Sequence, residues 1–139
     1  MAAASSSSAV EGSGSEEAQN LLARAVAYLE KEGPAKAFCA FNDPKGPFHS
    51  GELYVFAVSM DGLMFANSAA PSLVGTSFRD TRDAAGQPIG QNIMEIAMSQ
   101  GEGSLDYMWL NRVNNKVEKK RSFIKRVEGF ALGTGYYTR

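Results

Sequence analysis

The chain has 139 residues, 44% of them hydrophobic, a size that suits one domain with an ordinary core and no need of cross-links. Its 14 basic and 15 acidic residues give a formal net charge of -1. Because nucleic-acid-binding proteins carry a basic excess, that class is excluded. A single cysteine cannot form an internal disulfide bond. The one histidine, His49, is interpreted as a loop residue. One cysteine and one histidine are too few to form a set of metal ligands, so neither a metal nor a cofactor is expected.

The beginning of the chain differs in composition from the rest. Its first 14 residues are small and polar, which predicts a flexible tail ahead of one domain spanning residues 15–139. The tail lacks the charged start and long apolar run of a signal peptide. No run of ~18 apolar residues occurs anywhere in the sequence, so direct membrane insertion is not predicted.

Two helices are predicted at the start of the domain. Ser15 is a good N-cap, and Leu22, Val26 and Leu29 follow it at helical spacing. Gly33 is the expected end of this helix, and the proline after it opens a second, shorter helix. The single cysteine lies among apolar neighbours in that second helix, which favours a buried thiol.

The rest of the domain predicts a sheet with one more helix. Strands are predicted at residues 53–60, 63–66, 105–111, 117–127 and 130–137, with a helix at residues 88–99. Asp61-Gly62 predicts a two-residue hairpin turn. The irregular segment 67–88 is long for a compact domain, so it is a candidate functional loop. The order of the elements predicts an α+β fold built on a five-stranded antiparallel sheet.

The residues that carry chemistry point to binding and not to catalysis. The sequence contains no nucleophile elbow, HExxH, phosphate loop or CxxC motif, so no catalytic residue and no enzyme is predicted. Tyr107 and Trp109 are two residues apart, so they share one face of a strand, and Lys120 lies on the paired strand. A cation beside amphipathic rings predicts a site for a small carboxylate. The alternative is core packing of the rings, with the lysine amine reaching out to water.

Two other groups of residues have competing interpretations. Gly133-Thr134-Gly135 lies inside a predicted strand. Glycines there mark either a bend of the sheet under a helix or room for a ligand on the sheet face, and both interpretations stay open. Asp80 and Asp83 flank an arginine in a segment rich in turn-forming residues, and they are interpreted as solvated loop charges.

Several short motifs follow one another along residues 18–137. They are Ala-Tyr-Leu-Glu-Lys-Glu-Gly (27–33), Ala-Phe-Cys-Ala-Phe-Asn-Asp-Pro-Lys-Gly (37–46), Leu-Tyr-Val-Phe (53–56), Asp-Gly (61–62), Leu-Val-Gly (73–75), Asp83, Gly86, Pro88, Tyr-Met-Trp (107–109) and Gly-Thr-Gly-Tyr-Tyr (133–137). Each motif alone is weak, but their order and spacing are specific. The chain resembles the single Cache domains of bacterial chemoreceptors and sensor kinases, and it looks closest to small stand-alone exported Cache proteins.

The resemblance implies a PAS-like fold with a long N-terminal helix and a ligand pocket between the sheet and the long loop. It implies that the ligand-binding residues are Asn67, Arg79, Tyr107, Trp109, Lys120 and Tyr136. Near that pocket the chain departs from the family pattern, with Asn67 where histidine is common and Ser104 where tryptophan is common. Prolines common in the family are replaced by Leu110, Arg112 and Lys119. These departures leave the identity of the ligand open.

The predicted function is that of a periplasmic or otherwise extracytoplasmic sensor domain. It would bind a small organic acid or amino acid, for signal transduction or chemotaxis. A homodimer through the N-terminal helix is a further expectation. The alternatives are a structural or interaction scaffold with a filled or altered pocket, and a small enzyme or other binding protein on the same fold.

Overall fold

The computed structural model describes the backbone of residues 2–139 and the side chains of residues 14–139. The helices are α1 (Ala2–Glu32), α2 (Pro34–Phe41) and α3 (Ile89–Ser99), and the strands are β1 (His49–Ser50), β2 (Leu53–Ser59), β3 (Met64–Asn67), β4 (Glu102–Asn111), β5 (Lys116–Val127) and β6 (Phe130–Tyr137). The predicted tail comprises residues 1–14, and the side chains of residues 1–13 lie outside the described part of the structure. The tail and the domain boundary at residue 15 therefore stay predictions.

Five of the strands form an antiparallel sheet in the order β1-β2-β6-β5-β4. The remaining strand, β3, pairs with β2, which also pairs with β1 and β6. The predicted α+β class and its five strands are confirmed, and the two-residue strand β1 adds a sixth. His49 is therefore a strand residue, because it pairs with Tyr54 at the start of β2, and its prediction as a loop residue was wrong. In the described part of the chain, none of the helices combines the length and the apolar character needed to cross a membrane.

Two layers of buried side chains cover the two faces of the sheet. On the first face, α1 and α2 pack over Leu132, and Leu29 and Phe41 are buried in this layer. On the second face, α3 and the segment before it pack over Phe56, and Ile93 is buried there. Because side chains alternate along a strand, neighbouring residues of β5 and β6 belong to different layers.

The predicted burial of the cysteine thiol is wrong. Cys39 lies in α2 and is exposed. The helix buries Ala37, Phe38 and Phe41, which lie on the side that faces the sheet. Residue 39 is rotated by about 100° from residue 38, so its side chain points away from the core. Its apolar neighbours in sequence are therefore not its neighbours in space.

The first hairpin turns through three residues, 60–62, and the predicted two-residue turn is wrong. The Gly62 N–H donates to the Ser59 carbonyl (2.9 Å), and the Ser59 N–H donates to the Leu63 carbonyl (2.9 Å). Gly62 has φ +94, whereas Asp61 is not in the left-handed region. A three-residue loop with glycine in the left-handed position matches this geometry. Gly62 is therefore required by the three-residue turn, and not by the two-residue turn that was predicted.

Asp83 anchors the long loop 67–88 to the edge strand β4. One oxygen accepts the Met108 N–H (2.9 Å), and the other accepts the N–H groups of Gln87 (2.8 Å) and Ala85 (3.0 Å). Asp83 is buried, so its interpretation as a solvated loop charge was wrong, whereas Asp80 is exposed. Since β4 is the outermost strand, this carboxylate satisfies part of an otherwise open sheet edge.

The stability contributed by Asp83 is expected to depend on pH. Burial opposes the charged form, but the N–H donors of Met108, Gln87, Ala85 and Gly86 outweigh it, so the pKa of Asp83 lies below its ordinary value. A lowered pKa in the folded state stabilises the protein above the unfolded pKa of about 4. This stabilisation is lost as the pH falls through the folded pKa. Asp83→Asn places an N–H₂ group against a backbone donor, so we expect it to lower the free energy of unfolding by about 1.5–3 kcal/mol at pH 7.

Urea denaturation of the wild type and Asp83→Asn at several pH values measures this effect. The difference between them should shrink as the solution becomes acidic. Asp80→Asn is the matched control in the same loop, because Asp80 is exposed. A difference between wild type and Asp83→Asn that stays constant across the acidic range would contradict an ionised Asp83 as the anchor.

Candidate ligand-binding site

The central feature of the second face of the sheet is a buried lysine among tyrosines. Lys120 is 1% exposed, and its Nζ donates a hydrogen bond to the Tyr54 hydroxyl (2.8 Å). Nζ lies 4.2 Å from the ring centroid of Tyr54, 5.6 Å from that of Tyr137 and 6.0 Å from that of Tyr107. These distances are within cation–π range. The alternative in which the lysine reaches out to water does not hold, because the amine is inside the protein.

The strand register brings these side chains together. Lys120 on β5 pairs with Tyr107 on β4 and with Tyr137 on β6. Gly135 lies on the same face of β6, and a Cβ atom there would come within 2.6 Å of Lys120 Cε. A Cβ at Gly133 would meet the ring of Phe56 at a similarly short distance. The two glycines therefore make room for side chains of the protein itself, so neither a bend nor open ligand space explains them.

The charge of Lys120 has no acidic partner among the described residues, since none of their ion pairs includes it. Burial opposes the charged form, but the oxygen-bearing rings of Tyr107, Tyr54 and Tyr137 outweigh it and raise the pKa of Lys120. The hydrogen bond to the Tyr54 hydroxyl and the cation–π contact likewise favour the ammonium form. A buried ammonium group without an acidic partner is suited to receive an anion.

Two of the tyrosines around Lys120, Tyr107 and Tyr137, are held by hydrogen bonds of their own. Burial raises the pKa of Tyr107 and of Tyr137. The Tyr107 hydroxyl shares a hydrogen bond with Ser122 Oγ (2.8 Å), and the Tyr137 hydroxyl donates to the Leu110 carbonyl (3.1 Å). These bonds hold two of the three rings in place beside the ammonium group.

A small inner cavity of about 10 Å³ lies next to this cluster. It is lined by Tyr54, Phe56, Met64, Asn67, Phe78, Tyr107 and Trp109. Asn67 is buried, and its Oδ1 accepts the Ala70 N–H (2.9 Å). The inner cavity is therefore largely apolar, with one amide in its wall and the Lys120 ammonium behind the rings of Tyr54 and Tyr107.

A larger outer cavity of about 190 Å³ lies on the other side of Tyr54. Its walls are His49, Gly51, Glu52, Tyr54, Ser68, Ala69, Asn111, Arg112, Val113 and Tyr137. His49 Nδ1 and Ser68 Oγ are 2.6 Å apart, and the His49 ring stacks on Tyr54 with the centroids 6.1 Å apart. Within the described side chains, no group of three or more His, Cys, Asp or Glu is placed to hold a metal ion.

Four of the six residues expected at the site lie together, and two lie elsewhere. Tyr107, Trp109 and Asn67 line the inner cavity, with Lys120 beside it. Arg79 is exposed on the outside of the long loop, where its guanidinium donates to the Asp61 carbonyl (3.3 Å).

Tyr136 lies on the first face of the sheet, stacked on Phe123 with the centroids 6.2 Å apart. It lines a different cleft, beside Gly14 and Arg121. The alternation of β6 turns Tyr136 away from Lys120 and turns Tyr137 toward it.

Motif matching missed Tyr54 and Tyr137, the two other rings around Lys120. Both are visible in the sequence, since Tyr54 opens a predicted strand and Tyr137 closes another. The departure at Ser104 was expected near the pocket, but Ser104 lines a groove against α1 on the first face. Asn67 is therefore the departure that changes the wall of the inner cavity.

Comparison with known proteins identifies relatives of this fold. Residues 13–139 match the family single Cache domain 2. The structure is similar to that of a Cache chemosensory domain described as recognising carboxylic acids, with a TM-score of 0.76, 19% identity, and coverage of 94% of this chain and 97% of that one. A methyl-accepting chemotaxis protein from Vibrio parahaemolyticus has a TM-score of 0.78 at 17% identity, over 92% and 90% of the two chains. A periplasmic sensor domain of a chemotaxis protein has a TM-score of 0.67 at 20% identity, over 89% and 90%.

Proposed function

This chain belongs to the single Cache domain 2 family, whose members are sensor domains, and we propose that it binds a small monocarboxylate beside Lys120. The observation that carries the proposal is the buried ammonium group of Lys120, which has no acidic partner among the described residues. A carboxylate would supply the missing negative charge and would form a charge-assisted hydrogen bond. The domain would then act as a sensor without catalysis.

The walls of the inner cavity limit the class of ligand. Phe56, Met64 and Phe78 are apolar, so they suit a short hydrocarbon portion. Asn67 is the polar group placed to meet a hydroxyl or carbonyl of the ligand. None of the residues that line the inner cavity is a cation, so a second carboxylate would be buried without a partner. This argument favours monocarboxylates over dicarboxylates.

The proposal is tested by thermal shift and calorimetric titration with acetate, propionate and lactate. At 100 times its dissociation constant, a bound acid should raise the free energy of unfolding by about 2.7 kcal/mol. Succinate and n-propylamine are the matched controls, with a second carboxylate and with the opposite charge. Binding of a monocarboxylate but of neither control is the expected result. Stabilisation by propylamine instead would refute an anion site.

One observation favours a second candidate, a scaffold that binds no small molecule. The inner cavity has a volume of about 10 Å³, so in this structure protein side chains fill the space that a ligand would need. A filled site would explain the packing equally well. The absence of any stabilisation by the three acids would favour this candidate over the sensor.

Two further properties stay predictions. An extracytoplasmic location is supported by a structural relative that is a periplasmic sensor domain. The homodimer through α1 would use the exposed part of the helix, which includes Ala23 and Ala27.

A further inference from the structure

We infer that Tyr54 is the gate of this site: an incoming carboxylate replaces its hydroxyl at Lys120, and the Tyr54 ring moves into the outer cavity. The inference rests on the proposed function, because it requires an anion to reach Lys120. Among the described residues, Tyr54 alone lines both cavities. Its hydroxyl also accepts the hydrogen bond of the ammonium group.

Space determines which wall of the inner cavity has to move. A volume of about 10 Å³ holds no more than about one water molecule, so even a two-carbon acid requires enlargement. Phe56 and Phe78 belong to the buried layer under α3, where a displaced ring has no free volume to enter. Behind Tyr54 lies the outer cavity of about 190 Å³, which can receive its ring.

The hydrogen bonds of Lys120 explain why the gate is closed without ligand and opens with it. In the closed state the Tyr54 hydroxyl accepts from Nζ at 2.8 Å, which satisfies one donor of a group that is costly to leave unpaired. A carboxylate is the stronger acceptor, because it brings a full negative charge to the ammonium group in a site shielded from water, whereas a hydroxyl offers only a dipole. The exchange therefore improves the partner of Lys120 and releases the ring. The His49 ring, which stacks on the Tyr54 ring in the closed state, lines the outer cavity that would receive the Tyr54 ring.

A pair of substitutions at Ser68 tests the movement of the ring. Ser68 is buried in the wall of the outer cavity and pairs with His49. Ser68→Phe fills the outer cavity, whereas Ser68→Ala loses the same hydrogen bond without filling it. With propionate as the probe, Ser68→Ala should bind within about twofold of wild type, and Ser68→Phe about tenfold or more weakly, the equivalent of ~1.4 kcal/mol. Trp109, the single tryptophan, lines the inner cavity, so its fluorescence reports binding.

Tyr54→Phe is the second variant, and it does not depend on the folding of Ser68→Phe. It keeps the ring but removes the hydroxyl that competes with the acid, so propionate should bind about three- to tenfold more tightly. Weaker binding by Tyr54→Phe would overturn the inference, since the hydroxyl would then be a ligand contact. Equal binding by folded Ser68→Phe and Ser68→Ala would also overturn it. Failure of the wild type to bind any of the three acids would instead refute the proposed function, and the gate with it.

Discussion

Replacing Lys120 with methionine is expected to weaken propionate binding by about 30- to 150-fold, which corresponds to ~2–3 kcal/mol. Methionine has a similar length and no charge, so it removes the partner of the carboxylate without opening a large cavity. Lys120→Ala would combine the loss of the charge with the opening of a cavity, because Lys120 is among the largest fully buried side chains of the domain. Isothermal titration of the wild type and Lys120→Met with propionate measures the difference.

The stability of Lys120→Met is expected to stay within about 1 kcal/mol of wild type, since two opposing effects nearly cancel. The substitution loses the hydrogen bond to Tyr54 and the cation–π contacts, but it also removes a charge buried without an acidic partner. Lys119→Met is the matched control, because Lys119 is the preceding residue on β5 and lies on the opposite, exposed side. Equal propionate affinity of Lys120→Met and Lys119→Met would show that Lys120 does not bind the acid.

The register of the last three strands could be predicted from the sequence in part. Glu128-Gly129 is a pair typical of a tight turn. A two-residue turn there places Val127 opposite Phe130, and counting back from it places Lys120 opposite Tyr137. The turn between β4 and β5 spans four residues, 112–115, whereas a two-residue turn at the Asn-Asn pair 114–115 would place Lys120 opposite Trp109 and not opposite Tyr107. Local turn chemistry thus places one ring, Tyr137, beside the lysine, and the pairing with Tyr107 is known only from the structure.

The remaining parts of the site depend on contacts that no local pattern encodes. Tyr54 reaches Lys120 only because β2 pairs with β6, a contact between segments about 75 residues apart in sequence. Asp83 looked like a loop charge because one of the N–H groups that bind its carboxylate belongs to Met108 on β4, 25 residues away. Arg79 matched a family motif, yet its loop turns it outward. The direction of a side chain in an irregular segment is determined by tertiary packing, so the spacing of residues in the sequence does not predict it.

The close contact between α3 and the loop before it depends on one glycine. Gly90 lies in the first turn of α3, and its N–H donates to the Thr81 carbonyl (3.2 Å). A Cβ atom at this position would lie 2.7 Å from the Arg79 carbonyl oxygen and 2.9 Å from its carbon, and nearer still to the Phe78 carbonyl oxygen. These are backbone atoms, so no side-chain rotation relieves the clash.

Gly90→Ala is therefore expected to lower the free energy of unfolding by about 3 kcal/mol or more, at the upper end for overpacking. Helix propensity alone predicts the opposite, a gain of up to about 1 kcal/mol, so the sign of the change decides between the two effects. Gln91→Ala, at the exposed neighbouring position of α3, is the control and should change stability by less than about 0.5 kcal/mol. Because the clash pushes on the backbone of Phe78, which lines the inner cavity, propionate binding should weaken as well. Urea denaturation of Gly90→Ala and Gln91→Ala measures the change in stability, and titration with propionate measures the change in affinity. A Gly90→Ala protein as stable as Gln91→Ala would contradict the close contact of α3 with this loop.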